Sequence, residues 1–187
     1  MAMRCFDGEI VDRLIASCVL KNELFFDIEA SSVSVSMDDW RLWGIGISDG
    51  TTAVYVPVEA PLCRKVAEAI WSFKCDVVGH NPKFDMEGIK KEFRLSDYPD
   101  NPVCTLIALN LVDENLQMNQ VGLKPSVKRL FGIEMEEFED AVKFGKDSEE
   151  FENYCCEDCL KDSMLWNWLK VKMRQVRTCV LIQQMAY

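Results

Sequence analysis

The sequence predicts an α/β domain in which a mixed β-sheet is flanked by α-helices. Three observations lead there. Apolar runs of strand length crowd the first half of the chain, a turn signal joins two of them, and apolar positions at helical spacing fill the intervals and most of the second half. At 187 residues, the chain suits one domain that buries roughly two thirds of its unfolded surface and needs neither disulfides nor a structural metal to fold.

Ile10, Val11, Leu14, Ile15 and Cys18 recur at helical spacing, and Leu24 to Ile28 is a short apolar run typical of a buried strand. Leu42 to Ile47 and Ala53 to Val58 flank Asp49-Gly50, so they are expected to pair as an antiparallel hairpin. Three strands thus lie side by side. Pro61 to Phe73 is helical in pattern, Val77-Val78 supplies a fourth strand, and Gly79-His80-Asn81-Pro82 breaks the chain before a helix starting near Lys83. Val103 to Val112 and Ser126 to Phe131 read as helices. Ser148 with Glu149 and Glu150 opens a long helix expected to reach about Arg174. Neither a repeat nor a Gly/Ser/Pro-rich linker divides the chain.

Composition narrows the functional classes. A formal net charge of −10 argues against a protein that coats duplex DNA, which relies on many lysine and arginine contacts to phosphate. It leaves open a cleft whose acids hold divalent cations, because the metal then meets the phosphate. No segment reaches the roughly 18 apolar residues that cross a bilayer, and no basic stretch leads into a long apolar run. The chain is therefore expected in the cytoplasm or another reducing intracellular compartment, neither secreted nor in a membrane. Its nine cysteines are odd in number and read as reduced, mostly buried thiols. Cys156 and Cys159 have metal-ligand spacing but lack a second ligand pair, since His80 is the only histidine, so they read as small residues packed on a helix.

Three stretches carry chemistry. Asp27-Ile28-Glu29 ends the buried strand, and the period of two points both carboxylates to one side. Asp85 stands at the start of the helix after the fourth strand. Tyr154 and Asp158 are four apart on the long helix and share a face. Each alone has an ordinary explanation: chance, a helix cap, or packing beside a solvated acid. Carboxylates ending a buried strand are costly without compensation, however, and hard oxygen ligands suit Mg2+ or Mn2+.

In order and in element type, these stretches resemble the three motifs of the DEDD exonuclease superfamily, tyrosine subclass, and most closely the proofreading domain of family A DNA polymerases. Phe25-Phe26-Asp27-Ile28-Glu29, Tyr55-Val56-Pro57-Val58, Val78-Gly79-His80-Asn81-Pro82-Lys83-Phe84-Asp85 and Tyr154-Cys155-Cys156-Glu157-Asp158 carry the resemblance. It implies a ribonuclease-H-like fold over residues 1–175, with 176–187 an extension or the start of a polymerase region. It also implies metal-dependent 3′→5′ hydrolysis of single-stranded or frayed DNA ends to 5′-mononucleotides, for proofreading, beside a polymerase domain in cis or in trans. Asp27, Glu29 and Asp158 would hold one metal ion, Asp27 would bridge to a second, and Asp85 would reach that ion partly through water. Tyr154, with Glu29, would orient the attacking water. Asn81 and Phe84 would shape the pocket, and Val33 would stand where the family has an apolar wedge.

Ala30 departs from the family pattern, in which threonine reaches the terminal sugar, so RNA trimming of the ribonuclease D kind stays open beside DNA proofreading. A silent exonuclease-like domain bracing a polymerase is the third reading, disfavoured by the intact acidic set. Ser31 and Ser32 lack a nucleophile elbow, and His80 reads as a structural hydrogen-bonding residue. Lys124, Lys128 and Arg129 read as a solvated helical face, and Glu157 and Asp162 as solvent-facing acids.

Overall fold

The computed structural model describes residues 2–4, 7–32 and 34–185. Its elements are β1 (Ala2–Arg4), α1 (Gly8–Lys21), β2 (Glu23–Ala30), β3 (Leu42–Ser48), β4 (Ala53–Pro57), α2 (Pro61–Ser72), β5 (Asp76–Gly79), α3 (Pro82–Phe93), β6 (Pro102–Cys104), α4 (Thr105–Val112), α5 (Leu123–Phe131), α6 (Phe138–Ala141) and α7 (Glu149–Met185). The strands form one mixed sheet in the order β1-β4-β3-β2-β5-β6. β2, β3 and β4 pair antiparallel, while β1, β5 and β6 join their neighbours in parallel.

The hairpin forms because Asp49 and Gly50 together satisfy its turn. One Asp49 oxygen accepts from the backbone N–H groups of Thr51 and Thr52, both at 2.8 Å, and Gly50 takes the left-handed backbone, φ 84°, that side chains resist. Alternation along β2 then builds two cores. Leu24, Phe26 and Ile28 pack with Val11 and Leu14 of α1, Val66 and Ile70 of α2, and Met86 and Ile89 of α3. Phe25 faces the other way, onto Leu109 of α4 and Leu165 and Leu169 of α7, and Tyr55 joins Phe151, Cys155 and Cys156 on that side. The sheet is thus sandwiched between α1–α3 and a second layer led by α7.

α7 lies close on the sheet, and Gly46 permits it. A Cβ at Gly46 would sit 2.9 Å from Cys159 Sγ and 3.3 Å from the Cys155 carbonyl oxygen, so any side chain there must push the helix away. Cys156 and Cys159 are buried thiols outside any disulfide.

The predicted fold class stands, with corrections to individual elements. Val103 and Cys104 belong to strand β6 rather than to a helix, which begins at Thr105; β1 was likewise not foreseen. Both strands are three residues long and stabilised by pairing with a neighbour, which leaves no periodicity to read. α5 starts at Leu123 rather than Ser126, and α7 runs past Arg174 to Met185. No helix among the described residues is long and apolar enough to cross a membrane.

The sheet also makes an opening. β5 pairs with β2 only along Glu23–Phe25 and ends at Gly79, whereas β2 continues to Ala30. Among the described residues no strand lies beside one edge of β2 beyond Phe25, and a crevice forms past the carboxyl ends of the strands, where ligands of α/β sheets bind.

Candidate active site

Every described residue that the motifs singled out lines this crevice, a cleft of about 290 Å³: Asp27, Glu29, Asn81, Phe84, Asp85, Tyr154 and Asp158. Val33 lies outside the described residues. β2 delivers Asp27 and Glu29 on the α7 side of the sheet, while Ile28 between them goes to the opposite core. One oxygen from each of Asp27, Glu29 and Asp158 lies within 4.8 Å of the others. From the far wall comes Asp85, buried in the first turn of α3. Asn81 makes this approach possible: its left-handed backbone, φ 65°, bends the chain sharply after β5, and Pro82 starts the helix at once. The Asp85 carboxylate accepts a hydrogen bond from the backbone N–H of Ile28, satisfying β2 where it lacks a strand neighbour.

Crowding defines the electrostatics. Burial, and after it the charges of Asp85, Glu29 and Asp158, push the Asp27 carboxyl well above the usual carboxylate range. Glu29 is raised by burial and then by Asp158. Burial takes Asp85 up to about 8, against the pull of its backbone hydrogen bonds. Asp158 rises to about 6, held lower by the Lys124 charge and the Tyr154 hydrogen bond. Such a set repels itself, and a hard divalent cation would relieve it; all-carboxylate donors at this spacing fit Mg2+ or Mn2+.

Tyr154 is held from three sides. Phe151 and Phe138 pack on its ring at centroid distances of 6.3 Å, and Lys124 Nζ donates to its hydroxyl at 3.2 Å. The hydroxyl in turn hydrogen-bonds to Asp158. Lys124 also pairs with Glu137 at 3.4 Å. Lys124 is therefore no solvated surface charge but a half-buried cation reaching the site from α5, which no spacing along the sequence announces. Phe138 lines the cleft without any sequence pattern to mark it.

Asp162 is the larger correction. It is buried at 3% exposure rather than solvent-facing. Its Oδ1 accepts from Thr105 Oγ1 at 2.5 Å, while Oδ2 has no hydrogen-bond partner among the described residues. Its signal was legible: Tyr154, Asp158 and Asp162 repeat at four, so all three share one face of α7. His80 Nδ1 meets the same Thr105 hydroxyl at 3.0 Å, and burial lowers the His80 pKa to about 4, leaving the ring neutral. No hydrogen bond joins His80 to Ser31 or Ser32 among the described residues.

Burial raises Asp162 to about 7. A raised acid contributes stability that is full below its unfolded pKa, near 4, and lost as pH climbs through about 7. Asp162→Asn removes that loss. In chelator, the variant is expected to gain on the order of 1–3 kcal/mol over wild type at pH 8 and roughly a third of that at pH 5. Melting curves at the two pH values check it; equal gains at both would detach the effect from Asp162 ionisation.

Sheet order, the carboxylate cluster and the tyrosine beside it define a ribonuclease-H-like nuclease of the DEDD superfamily. The chain belongs to the 3′-5′ exonuclease family of the DNA polymerase A exonuclease type, whose family model matches residues 7–173. No curated protein sequence matches it. Among solved structures, Escherichia coli RNase D aligns with a TM-score of 0.72 at 15% identity, over 99% of this chain and 50% of that one. Brucella melitensis NrnC with bound Mg2+ aligns at 0.67 and 20% identity, over 82% and 74%. The Aedes aegypti Nibbler EXO domain aligns at 0.73 and 10% identity, over 94% and 89%. At these identities the likeness is one of fold.

Proposed function

We propose that this 3′-5′ exonuclease removes 5′-mononucleotides from single-stranded or frayed 3′ ends of DNA, with two divalent ions, Mg2+ or Mn2+, held in the cleft. The observation that carries the reading is the meeting of three carboxylates within 4.8 Å, with Tyr154 beside them and Asp85 across the cleft. Asp27, Glu29 and Asp158 would hold one ion, and Asp27 with Asp85 would hold the other. Bound ions supply a Lewis acid and a nucleophilic water at neutral pH. Tyr154, steadied by Lys124 and Asp158, would orient the attacking water, a positioning role that uses the hydroxyl and not its ionisation. Burial raises the Tyr154 pKa far enough to keep the hydroxyl protonated throughout.

The cleft is near the lower end of the volumes that small-ligand pockets span, which supports an unstacked terminal nucleotide over a paired one. Asn81 and Phe84 line it and are placed to contact that nucleotide; Val33 belongs to the same reading as an apolar wedge against the terminal base. Our reading extends to proofreading beside a polymerase domain in cis or in trans. It takes residues 1–175 as the exonuclease domain and 176–187 as an extension, and the family match over residues 7–173 supports those bounds. Buried free thiols support a reducing intracellular compartment.

A second reading, RNA trimming, is favoured by one observation: the solved structures of similar fold include E. coli RNase D, an exoribonuclease, and Trypanosoma brucei RNase D in complex with RNA. Ala30 on the cleft wall offers no hydroxyl with which to read a sugar. Matched end-labelled DNA and RNA oligonucleotides, incubated with and without Mg2+, separate the readings. A Mg2+-dependent ladder shortening from the 3′ end, faster on DNA, is the expected result; faster RNA cleavage would select the second reading, and no ladder on either would refute both.

A further inference from the structure

Behind the catalytic cleft, α3 presents a second face. Asp85, Met86, Ile89 and Phe93 point into the protein, while Lys83, Lys90 and Arg94, seven and four residues apart, share the side toward solvent. With Lys91 and the segment Ser34–Ser36 they line a groove of about 990 Å³. This groove shares Asn81 and Phe84 with the cleft, so the two are continuous.

The charge of the groove runs against that of the molecule. In a chain of net charge −10, four cations line one groove, and none of them is paired with a carboxylate among the described residues. Lys91 is committed to structure: its Nζ donates to the carbonyls of Val35 at 2.8 Å and Met37 at 3.2 Å, fixing the opposite wall. Lys83 and Arg94 are exposed and free of such ties, and Lys90 lies 4.3 Å over the Tyr98 ring. Among the described residues Glu87 is the one carboxylate lining the groove, and it accepts from the Tyr98 hydroxyl at 2.5 Å. From Lys83 to Phe93 the helix rises about 15 Å, with Arg94 at its C-cap, a span of several nucleotides.

We propose that this groove carries the phosphate backbone of the single strand 5′ of the terminal nucleotide, with Lys83, Lys90 and Arg94 meeting successive phosphates and Phe84 at the shared rim contacting a base. The proposal rests on the exonuclease reading of the cleft and names the path by which its substrate enters. A net charge of −10 disfavours nucleic acid over the molecule as a whole, and a basic groove leading to the acids supplies the local attraction that a weak, end-directed nuclease needs.

The test compares wild type with Lys90→Gln/Arg94→Gln, both checked by melting curve. Binding of a fluorescent 12-nucleotide single strand and of a dinucleotide is measured across a salt series with Ca2+, and kcat and KM with Mg2+. The variant is expected to bind the 12-mer about tenfold less tightly at roughly 0.1 M salt, with the salt slope of log K shallower by about 1.4, two contacts at about 0.7 each on a single strand. KM for the 12-mer should rise with kcat kept, and the dinucleotide, too short to reach the far end of α3, should be little affected. An unchanged slope, an equal loss on the dinucleotide, or equal affinity for a duplex of the same length would each overturn the groove. If neither protein hydrolyses either oligonucleotide, the exonuclease reading fails, and the salt slope alone still decides whether the groove binds a strand.

Discussion

Replacing Asp27 with Asn is expected to lower hydrolysis by about 1,000-fold or more, because the reading makes this carboxylate the ligand common to both ions. The chelated protein should be as stable as wild type or more so. Asp27 sits among Glu29, Asp85 and Asp158, and burial with their charges raises its pKa, so the folded state holds its proton more tightly than the unfolded chain does. Such an acid contributes stability that is full at low pH and lost as pH rises through the folded pKa. Above that point the wild type carries the repulsion and the Asn variant does not. Stability and activity are therefore traded at this residue. Saturating Mn2+ should reverse the order: a hundredfold excess over the dissociation constant is worth about 2.7 kcal/mol per site, or about 5–10 °C in melting temperature for a domain of this size, and the variant should lose most of that gain. Four melting curves and a nuclease assay settle the matter. A variant that melts far below wild type in chelator would make Asp27 a structural hydrogen-bonding residue and end the metal reading of β2.

Tyr154→Phe should separate binding from chemistry. The substitution keeps the ring that packs on Phe151 and Phe138 and removes the hydroxyl between Lys124 and Asp158. All four carboxylates stay, so the thermal gain from Mn2+ should match wild type. The rate should fall about 10- to 1,000-fold, the range expected when a reactant is misplaced. A modest loss of stability, about 1 kcal/mol, would reflect the hydrogen bond removed. Full wild-type rate in the variant would take Tyr154 out of the mechanism.

Much of the fold and most of the site could be read from local pattern. Alternation in β2 set Asp27 and Glu29 on one side, the Asp49-Gly50 signal set the hairpin, and four-residue spacing set Tyr154 and Asp158 on one face of a helix. These are short-range facts, since each depends on residues a few positions apart. Asp162 belonged to the same four-residue stripe and was misread only because a surface position is the ordinary place for an acid.

What the tertiary structure alone decided involves residues far apart in the chain. Lys124 reaches Tyr154 from thirty residues away, and Thr105 meets Asp162 across fifty-seven. β1 and β6 are too short to carry a pattern and exist as strands because β4 and β5 offer them edges. The cleft itself arises where β5 stops and β2 continues, so that Asp85 caps an edge that a strand would otherwise cover. Local periodicity assigns each side chain to a face. Which faces meet, and how far burial and mutual repulsion raise the acids gathered there, is set by the packing of the whole chain.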